Sequence, residues 1–523
     1  MRPQLRPSAA VALLLLGTAG ACVPAPRTVA PRPADIAATA DSVLSTPPLD
    51  RTHWGIQVID PASGRTLYSH QPHRHFVPAS NTKLIVTSTA MALLGPDWRY
   101  TTELLALPAA PDTSAAPAVQ PVGAAPAAPP DTTAAAVIVV ASGDPTLSAR
   151  FHPDDFAALD SLADSLAVAG IARITGPLII DASRFDSLFI NPSWEVGDLD
   201  WSYATPVAAF AIAEGTFGLV IAPGPAPGEP ARVELLAPAG AMYVENRILT
   251  DTATGPEARG RVRIVRRPGS DSLALIGHIP PAATPDTFRF AVGNPAAFAA
   301  RVFAGRLAER GIEVEGGVHV VFDSLASAAL LGPGTPRRVA TWTSPPMADI
   351  VAAILKPSQN WIAEMVLKTL GTVHGDGGSW DAGLDVERRF LIETAGIDST
   401  AFSLVDASGL SAQNLLAPEA ITRLLAYNRA QPWGETYRAA LAIPGEEGTL
   451  VNRLRALEGR LFAKTGTIAN VNSLSGYVVD TAGRELIFSI LTNASGLRSG
   501  LVRSGIDRIT TAIAGPAGTG GQP

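Results

Sequence analysis

The sequence predicts an α+β protein: an antiparallel sheet flanked by helices, split by a long insertion. Three observations carry that reading. Strand-like runs stand at both ends of the chain, "HWGIQVID" and "GRTLYSH" early, "LFAKTGT", "SLSGYVVD" and "RELIFSILTN" late. Helical patterns dominate the stretch from about residue 340 to 442, just before the late strands. A unit of helix, Gly-Ile turn and strand occurs twice, in "AGIARITGPLIID" and "RGIEVEGGVHVVFD", marking two halves of one inserted α/β domain.

The first residues, "MRPQLRPSAAVALLLLGTAGAC", have the anatomy of a secretory signal: Arg2 and Arg6, an apolar run from Ala9 to Leu16, then small residues. That run is too short to span a bilayer, and no later run is long enough. The expectation is an exported protein of the periplasm or cell envelope. Cys22 is the only cysteine, so an internal disulfide is excluded. It stands at the expected cleavage point, where "AGAC" resembles a lipoprotein lipobox, with Ala19 in place of the usual Leu. Cys22 is thus the candidate for lipidation and a membrane tether.

The chain has 523 residues, 47% hydrophobic and 17% charged, enough for several cores. Its net charge is −7 and no basic stripe stands out, which argues against a nucleic-acid partner. Residues 1–22 read as the signal and 23–34 as a Pro/Ala/Arg tether. Residues 35–106 and 341–516 form the α+β domain. Residues 107–135 are a disordered Pro/Ala loop. The inserted α/β domain takes 136–199 and 288–340, with a smaller β-rich domain, 200–287, nested inside it. A tail covers 517–523.

The lysines point to chemistry. Arg supplies nearly all positive charge, and the only lysines are Lys83, Lys356, Lys368 and Lys464. Lys can lose its proton when desolvated and Arg effectively cannot. Lys83 follows Ser80 by three residues in "PASNTKLIV", so on a helix the two share a face. A cation is disfavoured at a helix start. Burial and the positive helix end both favour the neutral amine, which can serve as base to a serine nucleophile. The helix start also offers N–H groups to an oxyanion. Ser80 as a plain helix cap would explain the serine and leave Lys83 unexplained.

Lys464 opens "KTGT", with Thr465, Gly466 and Thr467, in a predicted strand. A lysine beside hydroxyls suits a substrate carboxylate, and Gly466 would let a ligand backbone approach the strand. A plain edge-strand lysine is the competing reading. "SQN", Ser358 to Asn360, lies in an interhelical loop after Pro357; on its own, Asn360 reads as an N-cap. Lys368 matches no motif and reads as a solvated helix residue.

S-x-x-K, S-x-N and K-T-G in this order resemble the active-site signature of penicillin-recognising serine enzymes. "SGDPTL", "DLDWSYATPVAA", "KPSQNWIAE", "DASGLSAQN" and "KTGTIANVNSLSGY" extend the likeness to the D-alanyl-D-alanine carboxypeptidase/endopeptidase family, the class C low-molecular-mass penicillin-binding proteins. The resemblance covers about residues 35 to 515, and the wide gap between Ser80 and Ser358 fits the family's inserted domains.

The resemblance implies a penicillin-binding, transpeptidase-like domain with two nested accessory domains. It implies acyl-enzyme chemistry on peptidoglycan stem peptides, and β-lactams as ligands. In this sequence Ser80 would be the nucleophile, Lys83 its base and Ser358 a proton relay. Asn360 would hold the substrate amide. Lys464 and Thr465 would bind its carboxylate, with the N–H groups of Ser80 and Thr467 as oxyanion hole. No cofactor or metal is implied, and oligomeric state is left open. A serine β-lactamase or esterase, or a non-catalytic envelope-binding lipoprotein, would be the alternatives. "SQN" stands where "SDN" is common.

Overall fold

The computed structural model describes residues 32–109, 132–236, 242–252, 261–267, 270 and 272–515. The signal segment with Cys22, tether residues 23–31, the body of the Pro/Ala loop and the tail lie outside these residues.

In chain order the first part holds α1 (Pro33–Ser45), β1 (His53–Asp60), β2 (Arg65–His70), α2 (Lys83–Leu93), β3 (Thr101–Pro108), β4 (Thr132–Val140), α3 (Ala157–Val168), β5 (Ile171–Ile174) and β6 (Leu178–Asp181). The middle holds β7 (Thr216–Ala222), β8 (Arg232–Leu236), β9 (Tyr243–Thr250), β10 (Arg261–Arg266), β11 (Ser272–Ile279), β12 (Asp286–Ala291), α4 (Pro295–Ala308), β13 (Glu313–Val314), β14 (Val318–Val321), α5 (Ser324–Leu331) and β15 (Arg337–Thr343). The last part holds α6 (Met347–Leu355), α7 (Asn360–His374), α8 (Trp380–Arg389), the short pair β16 (Phe402–Ser403) and β17 (Leu415–Leu416), α9 (Pro418–Arg429), α10 (Gly434–Ala439), β18 (Leu461–Ile468), β19 (Val471–Val479), β20 (Glu485–Asn493) and α11 (Ser499–Ala514).

The terminal strands form one antiparallel sheet in the order β18-β19-β20-β1-β2. Because side chains alternate across a strand, β20 serves two cores. Phe488 and Ile490 join Ile36, Val43, Ile506 and Ile509 from α1 and α11. Ile487 and Leu491 face the helical side with Leu84, Ile85 and Leu424. Helix α7 runs through that helical side with every residue from Trp361 to Gly371 buried.

In the insertion, β4 pairs in parallel with β5 and β6, β13 with β5, and β14 with β6. The two sequence-similar halves thus lie edge to edge. The nested part carries two three-stranded sheets, β12-β7-β8 and β10-β11-β9.

Strand pairing shifts several boundaries. β3 pairs with β4 and β15, so the insertion takes residues 101–343, and the segments 101–106 and 341–343 leave the α+β domain. β12 pairs with β7, so the nested part runs on to Ala291 instead of stopping at 287. The ends of the Pro/Ala segment, Leu107–Pro108 and 132–135, are strand. Pro33 and Ala34, read as tether, open α1; proline fits a first helical turn, where its missing N–H costs nothing.

Candidate active site

The three motifs meet at one cleft. Ala79 has φ of 48° and leads into a 3-10 turn, Ala79–Thr82, that runs straight into α2. A left-handed non-glycine residue costs on the order of 1–3 kcal/mol and persists only where its surroundings enforce it. Here they do. Asn81 Nδ2 donates to the Lys464 carbonyl (3.2 Å) and to Ser473 Oγ (2.7 Å), and Ser473 Oγ donates to the Pro78 carbonyl (2.8 Å). The bend leaves Ser80 half-buried, facing the cleft, and Lys83 wholly buried.

Lys83 Nζ donates to Ser80 Oγ at 2.9 Å, to Asn360 Oδ1 at 2.6 Å and to the Ser408 carbonyl at 2.6 Å. An ammonium has three N–H bonds, and these partners take all of them. Burial pulls the Lys83 pKa from 10.5 to about 7, while the carboxylates of Asp406 and Glu364 hold it up. A neutral Nζ beside Ser80 can take the hydroxyl proton.

Lys464 is also wholly buried, and its Nζ donates to the Thr465 carbonyl at 2.8 Å. Burial first, and then the charge of Lys83, push its pKa well below the ordinary value. Strand β18 is the sheet edge; Lys464, Thr465 and Gly466 are buried along it, and Thr467 is the motif residue that reaches the surface. Thr467 is exposed; the Thr465 hydroxyl donates to Thr449 Oγ1 at 2.8 Å. Gly466 works differently from the expectation. A Cβ there would lie 2.2 Å from Ser473 Oγ and 2.9 Å from the Ser80 nitrogen. The space it leaves is filled by the Ser80 turn, not by a ligand.

Asn360 is not the cap of α7. The Gln359 side chain accepts the Trp361 N–H at 2.8 Å and caps the helix. Asn360 is thereby released to hold Lys83 through Oδ1, while its Nδ2 donates to the Tyr203 carbonyl at 2.7 Å. One amide N–H is left for a ligand. Ser358 is half-buried with φ of 66°; its hydroxyl is not among the three partners of Lys83. The cleft has a volume of about 430 Å³ and is lined by Ser80, Asn360, Thr467, Glu195, Asp198 and Tyr203, among others. A larger cavity of about 670 Å³, beside His73 and Arg423, holds none of the motif residues.

Lys368 corrects the sequence reading. It is fully buried, not solvated: Nζ donates to Asp186 Oδ1 (2.6 Å) and to the Leu188 carbonyl (2.8 Å), and lies 3.7 Å from the Trp380 ring centre. Sequence reasoning also passed over Glu364, Asp406 and Ser408, all wholly buried around Lys83. The available signal was an acid inside the apolar run "WIAEMVL", since a buried carboxylate needs a partner.

Against this geometry, the sequence matches the D-Ala-D-Ala carboxypeptidase 3 (S13) family over residues 36–513. The chain belongs to that family. A D-alanyl-D-alanine carboxypeptidase of Actinomadura sp. (strain R39) is 33% identical over 469 residues, covering 87% of this chain and 80% of its own. Penicillin-binding protein 4 (dacB) of Haemophilus influenzae superposes with a TM-score of 0.74 at 22% identity, over 90% of this chain and 97% of that one. The same protein solved with a β-lactam superposes at 0.68, with 21% identity over 90% and 97%. These structures share the α+β fold with its insertions. Among the described residues no helix is long and apolar enough to cross a membrane.

Proposed function

We propose that this protein is a serine-type D-alanyl-D-alanine carboxypeptidase that acts on peptidoglycan stem peptides and is acylated by penicillins at Ser80. The observation that carries the reading is the 2.9 Å contact between Ser80 Oγ and a fully buried Lys83. Neutral Lys83 takes the Ser80 proton as Oγ attacks the carbonyl carbon of the penultimate D-Ala. The oxyanion settles on the N–H groups of Ser80 and Thr467. The tetrahedral species collapses, the C–N bond breaks, and the D-Ala amine leaves with a proton passed from Lys83 through Ser358. Water then attacks the ester carbon while Lys83 takes one of its protons; the bond from that carbon to Ser80 Oγ breaks as Lys83 returns the proton to Oγ, which restores the Ser80 hydroxyl and the neutral amine.

The substrate strand lies in the cleft beside the Thr467 end of β18. Asn360 gives its remaining N–H to the peptide carbonyl, and Lys464, Thr465 and Thr467 receive the terminal carboxylate. Cleavage of D-Ala-containing crosslinks uses the same acyl-enzyme, with a longer leaving amine. The leader and Cys22 deliver the enzyme to the envelope as a lipoprotein; a Cys22→Ser variant is then released as soluble protein and takes up no labelled fatty acid.

The test is digestion of purified muropeptides with wild type and Ser80→Ala, read by mass. Loss of D-Ala with wild type alone supports the proposal. Equal products from both variants would remove Ser80 from the mechanism. Rapid turnover of penicillin, in place of a lasting adduct, would move the protein to the β-lactamases.

A further inference from the structure

Close to Lys83 lie two wholly buried acids, Glu364 on α7 and Asp406 in the loop between β16 and β17, and a third, Glu387 on α8, feels the charge of both. Their surroundings differ. Glu364 Oε1 accepts the Ser408 N–H at 2.8 Å, and Oε2 accepts Trp380 Nε1 at 2.8 Å and the Ala407 N–H at 3.3 Å. Asp406 Oδ1 accepts the Gly409 N–H and Asn414 Nδ2; Oδ2 accepts the Ser411 N–H and Trp194 Nε1. Neither oxygen of Glu387 has a hydrogen-bond partner. Pure N–H donors on both oxygens suit a carboxylate, which only accepts. A carboxyl with no donors is cheapest as the neutral acid. The cluster therefore favours charge on Glu364 and Asp406 over charge on Glu387.

The Glu364 contacts lead directly to Lys83. Glu364 grips the N–H groups of Ala407 and Ser408, and the carbonyl of that same Ser408 receives Lys83 Nζ at 2.6 Å. Gly409 fixes how close the loop comes: at φ of 73°, a Cβ there would lie 1.9 Å from the Ala79 carbonyl.

We infer that Glu364 is the positioning residue of Lys83: it holds the Ser408 carbonyl against Nζ, and its charge sets how low the pH must fall before Nζ is protonated and lost as a base. This rests on Lys83 being the base for Ser80. Every charged group facing the pair is then accounted for. Asp406 acts on Lys83 in the same direction as Glu364, burial holds Glu387 towards its neutral form, and on β18 the charge of Lys83 lowers the pKa of Lys464. Lys368, on the same helix as Glu364, is matched by Asp186 and lies against Trp380, the donor to Oε2. Burial and the charge of Asp406 raise the Glu364 pKa to about 7, beside a Lys83 pKa also about 7. Proton loss from either group thus registers on the other near neutrality.

The experiment measures the second-order rate of Ser80 acylation by a fluorescent penicillin from pH 5 to 9, for wild type, Glu364→Gln and Glu364→Asp. Removing the charge lets Lys83 deprotonate more easily. The acid limb of Glu364→Gln should move down by about one pH unit, and its plateau should fall as the loop loosens. Glu364→Asp keeps the charge on a shorter arm: its limb should stay at the wild-type pH with a lowered plateau. A folded Glu364→Gln protein with an unmoved limb overturns the inference. If Glu364→Gln does not fold, Glu364→Asp decides: a displaced limb, or a plateau equal to wild type, overturns it. A wild type without any acid limb would instead strike at Lys83 as base, which is a different failure.

Discussion

Lowering the pH should switch off acylation in a way the burial of Lys83 dictates. With a pKa of about 7, Lys83 is half neutral at pH 7, whereas a lysine at its ordinary 10.5 would be neutral in only about one molecule in 3,000. Burial therefore raises the supply of base by about a thousandfold at neutral pH. At pH 5 about 1% of Lys83 is neutral, and at pH 9 nearly all of it is. The acylation rate should rise about tenfold per pH unit up to pH 7 and then level off. The assay mixes protein with a fluorescent penicillin, quenches at intervals and reads the labelled band. A rate constant that varies less than about twofold from pH 5 to 9, or that climbs only near pH 10, would refute the argument. Lys83→Arg keeps the charge and cannot lose it, so its plateau should fall by about 10²–10⁴-fold while the fold persists.

Other perturbations read the same neighbourhood. Gly466→Ala places a methyl 2.2 Å from Ser473 Oγ and 2.9 Å from the Ser80 nitrogen, so acylation should drop by about 10²-fold, measured by the same label. Lys83→Met should raise the melting temperature at pH 7 while abolishing labelling, because the folded state then no longer holds a lysine away from its preferred charge. Glu387→Leu removes two unpartnered buried oxygens and should stabilise the protein by about 1–3 kcal/mol at pH 8. The Glu387 pKa is raised by burial first and then by Glu364 and Asp406, so the contribution of this group is fully present below pH 4.5 and is lost as pH rises towards its folded-state pKa. Denaturant titrations at pH 5 and pH 8 should show the variant's advantage widening with pH; a constant gap would contradict it.

The motif residues were legible because their identity is local; their meeting was not. Lys83 reaches Asn360 across 277 positions and Ser408 across 325. No periodicity reports such pairings. Lys368 was misread for a related reason. A helix with one wet face advertises which side chains are solvated, and α7 has none along Trp361–Gly371, so a charge there means an internal partner. The boundary at β3 failed because strand membership is fixed by hydrogen bonds and not by chain proximity. Thr101–Pro108 follows α2 closely yet pairs with β4 and β15. Gly466 in a predicted strand suggests room for a ligand backbone, but Ser473 and the chain's own Ser80 turn take that space, a contact between distant segments that no local pattern reports.

The insertion leaves and returns at one point, where Thr101 faces Thr343 and Tyr100 and Ser344 exchange backbone and hydroxyl hydrogen bonds. Joined by only two crossings, it looks like a cassette that evolution could lengthen or delete without straining the helices beneath. Its loops tell another story. Tyr203 holds the Asn360 amide, Trp194 caps Asp406, Asn191 Nδ2 donates to the Val405 carbonyl, and Asp186 neutralises Lys368. Cutting the cassette out would leave the Ser80 domain connected and strip four tethers from its catalytic wall at once. The inserted part is a jig for the wall around Lys83 as well as an appendage, so the long stretch of chain between Ser80 and Ser358 also helps to hold the two segments in place.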